Sequence, residues 1–535
     1  MSSSTQRIVG IDLGTTFSVI AYVTDDGRPE IVRDMQDARI TPSVVYIDDD
    51  QVVVGSGARD QSIAFPDKVV SLVKRQMGTP NKVKANGRDY TAETVSGFIL
   101  KKLKEDAERV LGGPITEAVI TVPAYFGLAE RKATEDAGLI AGLKARHIIN
   151  EPTAAAIAFG AANAADPRTL LVYDLGGGTF DITLLRVKPT GRKIPDIEVV
   201  SSGGDRRLGG ADWDKLMADH VLKTFREAHG ADPGGDPSVM RDLLLKCERT
   251  KIALATGVAS TVVCTFGGKT TKVAFDRPLL LDLTRHLLDR TMNMLTDLLA
   301  EKSVREDQID EVLLVGGSTK LVMVRDALAA KFGKERINSS VHPDLCVAEG
   351  AAWYGHLLAQ GELPPEPGQP ADGLSPGRST GGGLGVQFTD VCPFALGVAI
   401  MMSRDSDELT IDTLIAKDTK LPCDETGQYF TRHDGQTAVD LDVYENRSRK
   451  KGEKTDPELS RKIAAVVLDG LPGGRPAGQP IRVTFRLDAA FRLRVTGVDV
   501  STGRTVEADI DYASAMSAEE REAARKEVSK AIVQS

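Results

Sequence analysis

Two stretches of the chain place an acid, glycine and hydroxyl residues between apolar runs. The first is IVGIDLGTTFSVIAY, residues 8–22, with Asp12, Gly14, Thr15 and Thr16 at its centre. The second is LLVYDLGGGTFDITLL, residues 170–185, with Asp174, Gly176, Gly177, Gly178, Thr179 and Asp181. Each reads as strand, tight turn, strand, and such a hairpin presents backbone N–H groups able to cradle a phosphate. A single copy would serve equally well as an ordinary hairpin turn. Two copies form opposed jaws for a polyphosphate, with Asp12 and Asp181 offering oxygens to a hard cation through water. A third glycine pair, in EVLLVGGSTKL at 311–321, follows an apolar strand and precedes a helical pattern, which suits close approach of backbone to a nucleotide. None of these glycines belongs to a Walker-type P-loop, which needs Gly-Lys-Ser/Thr after the turn.

The elements that must hold these residues alternate short apolar runs with amphipathic helical patterns over residues 8–360, as at Glu130 to Ala141 and Leu279 to Leu299. That alternation predicts an α/β architecture. Residues 362–383 hold five prolines and six glycines in 22 positions, which reads as a linker with no core of its own. Beyond it the apolar period falls to two: Val439, Leu441 and Val443 alternate with other residues, as do Ile481, Val483, Phe485 and Leu487. A half-buried antiparallel sheet is expected there. Ser517 stands three residues before Glu520, a capping box opening a short, highly charged helix.

Length and composition narrow the class. A chain of 535 residues exceeds one core and implies several packed domains. With 41% hydrophobic and 27% charged residues it reads as soluble and globular, and its formal charge of -9 argues against nucleic acid. The five cysteines form no CxxC pair, and their odd number fits reduced thiols. The start, MSSSTQR, has no apolar signal region, and no run suits a membrane helix, so the cytoplasm is the expected compartment, with no membrane partner.

The chain resembles the 70-kDa heat-shock (DnaK-type) molecular chaperone family, within the wider actin and sugar-kinase ATPase superfamily. The resemblance rests on GIDLGTTFS (10–18), VITVPAYF (119–126), IINEPTAAAIAFG (148–160), YDLGGGTFDITLL (173–185) and VLLVGGSTKL (312–321), supported by LVKRQMG (72–78), GDRRLGGADWD (204–214) and CERTKIAL (247–254). It implies a two-lobed, actin-like α/β ATPase domain built on a duplicated ribonuclease-H-like unit, residues 1–361. An interdomain linker, 362–389, a β-sandwich peptide-binding domain, 390–512, and a short C-terminal helix standing in for a truncated lid, 513–535, would follow.

The resemblance also implies roles. Asp12 and Asp181 would hold Mg2+ and K+ around the phosphates of ATP or ADP, while Asp174 and Glu151 order water. Gly14, Thr15, Thr16, Gly176, Gly177, Gly178 and Thr179 would meet the phosphates, and Lys74 would approach the γ-phosphate. Without the resemblance Lys74 would read as a solvated helix charge. Gly316, Gly317 and Ser318 would line the nucleoside, Glu248 and Lys251 would face the ribose, and Asp344 would close the adenine pocket. Lys320 stands where the family carries an arginine that stacks on adenine, and Ala255 where it carries a serine; an ammonium stacks less well than a guanidinium. The peptide groove would lie near Val398, Met401, Phe430, Val439 and Leu441, positions that strand alternation alone assigns to the core.

Other departures bear on coupling. The segment VQFT before Asp390 is less apolar than the family's leucine-rich linker and is expected to dock more weakly. Arg432 and His433 replace small residues over the groove. The chain stops before a full lid, which predicts fast peptide exchange. His147, beside Arg146, replaces the arginine presented to J-domains. HPD at 342–344 spells a J-domain signature but lacks that domain's paired basic helices. The expected protein is therefore a monomeric, ATP-hydrolysing chaperone for unfolded or extended polypeptides, with a J-domain co-chaperone and a nucleotide exchange factor as partners. The alternatives are a nucleotide-dependent regulator or scaffold of the same family and, disfavoured by the β-region that follows, a small-molecule kinase.

Overall fold

A computed structural model describes residues 7–49, 51–163, 166–338, 340–363, 386–402, 408–508, 511–512 and 516–534. Most of the expected linker, residues 364–385, lies outside them.

The repeat in the sequence is a repeat in topology. In the first half, strands run in the order Lys144–Asn150, Glu117–Val122, Val9–Asp12, Phe17–Val23, Pro29–Ile31. The first three are parallel and the last three form antiparallel hairpins. In the second half the order is Ile337–Asn338, Glu311–Val315, Arg168–Leu175, Phe180–Lys188, Asp196–Asp205, with the same senses. The central strands are buried on both faces, which is why they read as continuous Val, Ile and Leu runs.

Helices Glu151–Asn163 and Cys346–Gln360 pack against each other between the halves, in a core that also holds Val19, Val119, Leu170, Val172 and Leu313. Their small residues set the spacing. A Cβ on Gly10 would lie 2.0 Å from the backbone nitrogen of Ala352, and one on Gly350 would lie 1.8 Å from the carbonyl oxygen of Ala154. The alanine and glycine runs around 154 and 350 thus let helix and strand backbones touch. The helices anticipated near 130–141 and 279–299 are Leu128–Ile140 and Arg277–Glu301, the latter capped by Asp276 accepting from the Leu279 N–H.

After the linker lie two β-sheets. One orders Lys454–Thr455, Leu409–Ile415, Ala395–Met401, Ala438–Asn446, Arg461–Asp469 and Asp511–Tyr512; the other orders Cys423–Phe430, Pro480–Leu487, Leu493–Asp499 and Thr505–Ala508. Leu441, Val443, Ile481, Val483, Phe485 and Leu487 turn into a shared core, as the period of two predicts.

Two segments find partners that the sequence did not name. Residues 386–389, the end of the expected linker, are docked on the second half: Phe388–Thr389 adds in parallel to strand Asp196–Asp205, the Ile197 N–H donates to Gln387 O at 3.0 Å, and Val386 and Phe388 enter the core between the halves. Two apolar residues at alternate positions suffice, because the strand edge supplies the backbone bonds. The C-terminal helix, Ala518–Lys530, is no cover for the β-region. It packs on helices Ala92–Leu111 and Leu128–Ile140 of the first half, burying Ala524 and Val528, and Val533–Gln534 pairs in parallel with Val52–Val54. No described helix is long and apolar enough to cross a membrane.

Candidate functional site

The two jaws face one another across a cleft. Asp12 ends its strand in register with Val19 and Thr121; Asp174 stands in register with Asp181 and Val315. Both acids lie towards the carboxyl ends of parallel strands, where open α/β sheets bind ligands. A cavity of about 640 Å³ opens there, lined by Asp12, Gly14, Thr15, Thr16, Lys74, Glu151, Asp174, Gly176, Gly177, Thr179, Glu248, Lys251, Gly316, Gly317, Ser318, Lys320 and Asp344. Ala255 also lines it. Two expected site residues sit just behind the wall: Gly178 against Thr15, and Asp181, whose Oδ1 accepts the Ala124 N–H at 2.9 Å.

The turns interlock. A Cβ on Gly177 would lie 1.8 Å from Thr16 Oγ1, and one on Gly178 would lie 2.3 Å from Thr15 Cγ2, so the glycines of one jaw make room for the threonines of the other. Gly316 has φ +82°, and a Cβ on it would lie 2.5 Å from the Leu175 carbonyl oxygen. Thr15 Oγ1 and Thr16 Oγ1 are buried without a hydrogen-bond partner among the described residues. Buried hydroxyls rarely stay idle, so this pair is suited to ligand oxygens.

Lys74 is buried. Leu72, with φ +57°, turns the chain into the short 3-10 segment Val73–Gln76 and directs Lys74 inward. A left-handed leucine costs about 1–3 kcal/mol, strain that typically concentrates at functional sites. Lys74 Nζ donates to Glu151 Oε1 at 2.5 Å. Burial alone would lower the ammonium's pKa, but Glu151, Asp12 and Asp181 together raise it, so Lys74 stays charged. Burial, then repulsion from Glu151, pushes Asp12 up to about 7 and lifts Asp174 and Asp181 well above the usual carboxylate range.

Four carboxylates therefore face one ammonium, and Asp181 Oδ2 has no hydrogen-bond partner among the described residues. Such a set fits bound hard cations, because only added positive charge lets the acids ionise beside a polyphosphate. No cluster of three or more His, Cys, Asp or Glu side chains poised as direct ligands occurs among the described residues.

On the side of the cleft expected to meet a nucleoside, Lys251 Nζ donates to Gly210 O at 2.6 Å and Asp214 Oδ2 at 2.8 Å. Burial pushes Asp214 up to about 6 although Lys251 pulls it back. Ser318 Oγ donates to Gly176 O at 2.9 Å, joining the third glycine pair to the second jaw. Lys320 is ion-paired with Asp344, and Glu248 with Arg59 from the opposite half. Several residues that close the cleft escaped sequence reasoning. Arg75 bonds Asp212 and Gly178 O across it, and Arg241 reaches Ser71 Oγ at 3.1 Å. Arg75 follows Lys74 directly; the other pairings join residues too far apart in sequence to signal one another.

The model of the Hsp70 protein family matches residues 8–534 of the chain. The chain belongs to the Hsp70 family. It is 37% identical over 513 residues to the protein named Chaperone protein DnaK from Thermotoga neapolitana, covering 94% of this chain and 80% of that one. It is 35% identical over 512 residues to the protein of the same name from Thermosipho melanesiensis, again covering 94% and 80%.

In this Hsp70 the five groove candidates divide. Met401 and Phe430 are exposed, the latter at 61%, as are Met402 and Leu409. Val439 is half-buried, while Val398 and Leu441 are enclosed in the β-region core. Arg432 Nη1 lies 3.2 Å from Met401 Sδ.

The β-region of this Hsp70 is seated on both halves. Asn150 Nδ2 donates to Asp390 Oδ1 at 2.7 Å and the Leu128 N–H donates to Glu445 Oε1 at 3.0 Å, both on the first half. On the second half, Asp418 accepts from Ser201 Oγ at 3.1 Å and pairs with Lys302 at 2.8 Å. Lys420 pairs with Glu198 at 2.5 Å.

Proposed function

We propose that this chain is an ATP-dependent molecular chaperone that binds exposed apolar segments of unfolded polypeptides and uses ATP hydrolysis to control its hold on them. The observation that carries the reading is the buried Lys74–Glu151 pair set among Asp12, Asp174 and Asp181, beneath two interlocked glycine–threonine turns.

ATP is the substrate. The N–H groups of residues 14–16 and 176–179, with the hydroxyls of Thr15, Thr16 and Thr179, hold its phosphates, and Gly316, Gly317 and Ser318 line its nucleoside, with Glu248, Lys251, Lys320 and Asp344 around the ribose and base. Asp12 and Asp181 would hold Mg2+ and K+, whose positive charge would neutralise the phosphates when bound. Lys74 remains cationic at the γ-phosphate and stabilises charge developing there. Glu151 and Asp174 orient the attacking water and take its proton. Positioning and charge neutralisation supply most of the rate in phosphoryl transfer, and this pocket is built for both.

The β-region holds the client. Met401, Phe430 and half-buried Val439 line the surface that receives an extended segment, main-chain bonds giving affinity and an apolar pocket giving preference. A J-domain protein and an exchange factor act as partners, and the chaperone works as a monomer. Measuring ATP turnover with and without an unfolded peptide, for the native chain and for Lys74→Ala, tests the reading. Turnover should rise with peptide and vanish in the variant; a Lys74-dependent turnover indifferent to peptide would leave an ATPase without the chaperone coupling.

A further inference from the structure

One carboxylate is shared by both halves and the β-region. Glu130, on helix Leu128–Ile140, is 1% exposed. Its Oε1 accepts from Arg206, which follows strand Asp196–Asp205 of the second half, and from Arg461, the first residue of a β-region strand. Arg461 also donates through Nη2 to Gly78 O at 2.6 Å, and the Arg206 guanidinium lies 5.8 Å from the ring centre of Phe394 in the β-region. Glu130 Oε2 has no hydrogen-bond partner among the described residues, so two guanidiniums converge on a single oxygen.

The fourth member of the set is Glu445, which the β-region brings alongside Glu130 and which accepts the Leu128 N–H. Gly127 permits that approach: a Cβ there would lie 2.1 Å from Glu445 Oε1. With all four side chains ionised, two carboxylates balance two guanidiniums. Buried Arg131 beside Glu130, and Asp390 of the β-region, which faces it, add one charge of each sign, so withdrawing the second half would leave three carboxylates against two guanidiniums when the β-region is seated. Withdraw the β-region, and Glu130 keeps Arg206 alone. A buried group left without its counter-charge is strongly unfavourable, so each contact depends on the other.

We infer that Glu130 is the positioning residue that makes seating of the β-region conditional on closure of the two halves. The inference rests on the chaperone reading above and names the side chain through which cleft and β-region sense each other. Arg206 acts through Glu130, and its ion pair lies wholly within the nucleotide-binding portion of the chain.

The Leu128 amide reports seating directly, because Glu445 is its acceptor. Hydrogen exchange at this amide should be followed in the full chain at pH 8, with ATP and with ADP, for Glu130→Gln, Arg206→Gln, Arg461→Gln and the double arginine variant. Each single variant should exchange about tenfold or more faster in ATP, within the usual range of coupling between sites, and the double variant no faster than the faster single one. Arg206→Lys, which keeps the charge, should restore protection. Thermal unfolding of each variant separates loss of seating from loss of fold, and the arginine variants keep the test alive where Glu130→Gln fails to fold. If Arg206→Gln leaves the Leu128 amide protected while Arg461→Gln exposes it, Glu130 is an ordinary interface contact and the inference falls. Native protein that binds nucleotide yet shows no nucleotide-dependent exchange there overturns it as well. Native protein that binds no nucleotide overturns the chaperone reading instead.

Discussion

Lys74 and Glu151 come from segments 77 positions apart, yet their charged atoms meet at 2.5 Å inside the cleft. The pair lines the same cavity as Asp12 and Asp174, which stand on equivalent strands of the two duplicated sheets.

Lys74→Ala should lower single-turnover ATP hydrolysis by about 10²–10³-fold, the usual loss when one preorganised electrostatic group is removed. Nucleotide affinity, measured separately by titration, should change far less than turnover. An equal loss in both would make Lys74 a binding residue only.

Gly10→Ala should destabilise the protein by about 1–3 kcal/mol or more, because its Cβ has no room against the backbone of Ala352. The melting temperature of the nucleotide-free protein measures this. An unchanged value would mean that the 346–360 helix can shift without cost.

Phe430→Ala should weaken binding of an apolar peptide by about tenfold while leaving the melting temperature unchanged, since the ring is largely exposed. Val398→Ala should do the reverse, costing about 2–4 kcal/mol of stability through a core cavity. Titration with a labelled peptide alongside thermal unfolding separates the two roles.

Lys101 Nζ donates to three carbonyls at the end of the C-terminal helix, those of Val528 at 2.9 Å, Ser529 at 3.1 Å and Ala531 at 2.7 Å. Arg521 adds an ion pair with Asp136 at 2.9 Å. Lys101→Ala should loosen the tail by about 1–3 kcal/mol, seen as faster amide exchange across residues 518–534 and unchanged exchange in the β-region strands.

Burial, then repulsion from Glu130, pushes Glu445 up to about 7, against the attraction of Arg461 and Arg206. Once unseated and solvated, it returns to its ordinary value of 4.5. The seated state therefore holds an extra proton between these values. Seating is favoured at the acid end of that window and weakens as pH rises through about 7. Exchange at the Leu128 amide between pH 5 and 8, corrected for intrinsic rates, should show this trend in the native chain and lose it in Glu445→Gln.

Much of the cleft lining was legible because its residues are local to turns. A glycine beside a threonine at the end of an apolar strand signals its geometry within four or five positions, and the two jaws repeat that signal. Arg59, Arg75 and Arg241 were not legible: each acts on a partner from the opposite half, and an arginine on a helix surface looks the same whether it meets solvent or crosses a cleft. In the β-region, alternation correctly assigned core faces but did not tell an enclosed Val398 from an exposed Phe430. Strand period reports which face a residue occupies and says nothing of where the sheet ends.

By itself, the sequence determined the duplicated strand–turn–strand units, the α/β and all-β regions that follow one another, and the acids, glycines and hydroxyls that line the cleft. Those properties follow from local periodicity and turn chemistry. Only the tertiary structure decided that residues 386–389 form an edge strand, that the final helix belongs to the first half, and that Glu130 stands between Arg206 and Arg461. Those outcomes depend on which buried charges and open strand edges find partners after the chain has folded, and such partners are set by distance in space.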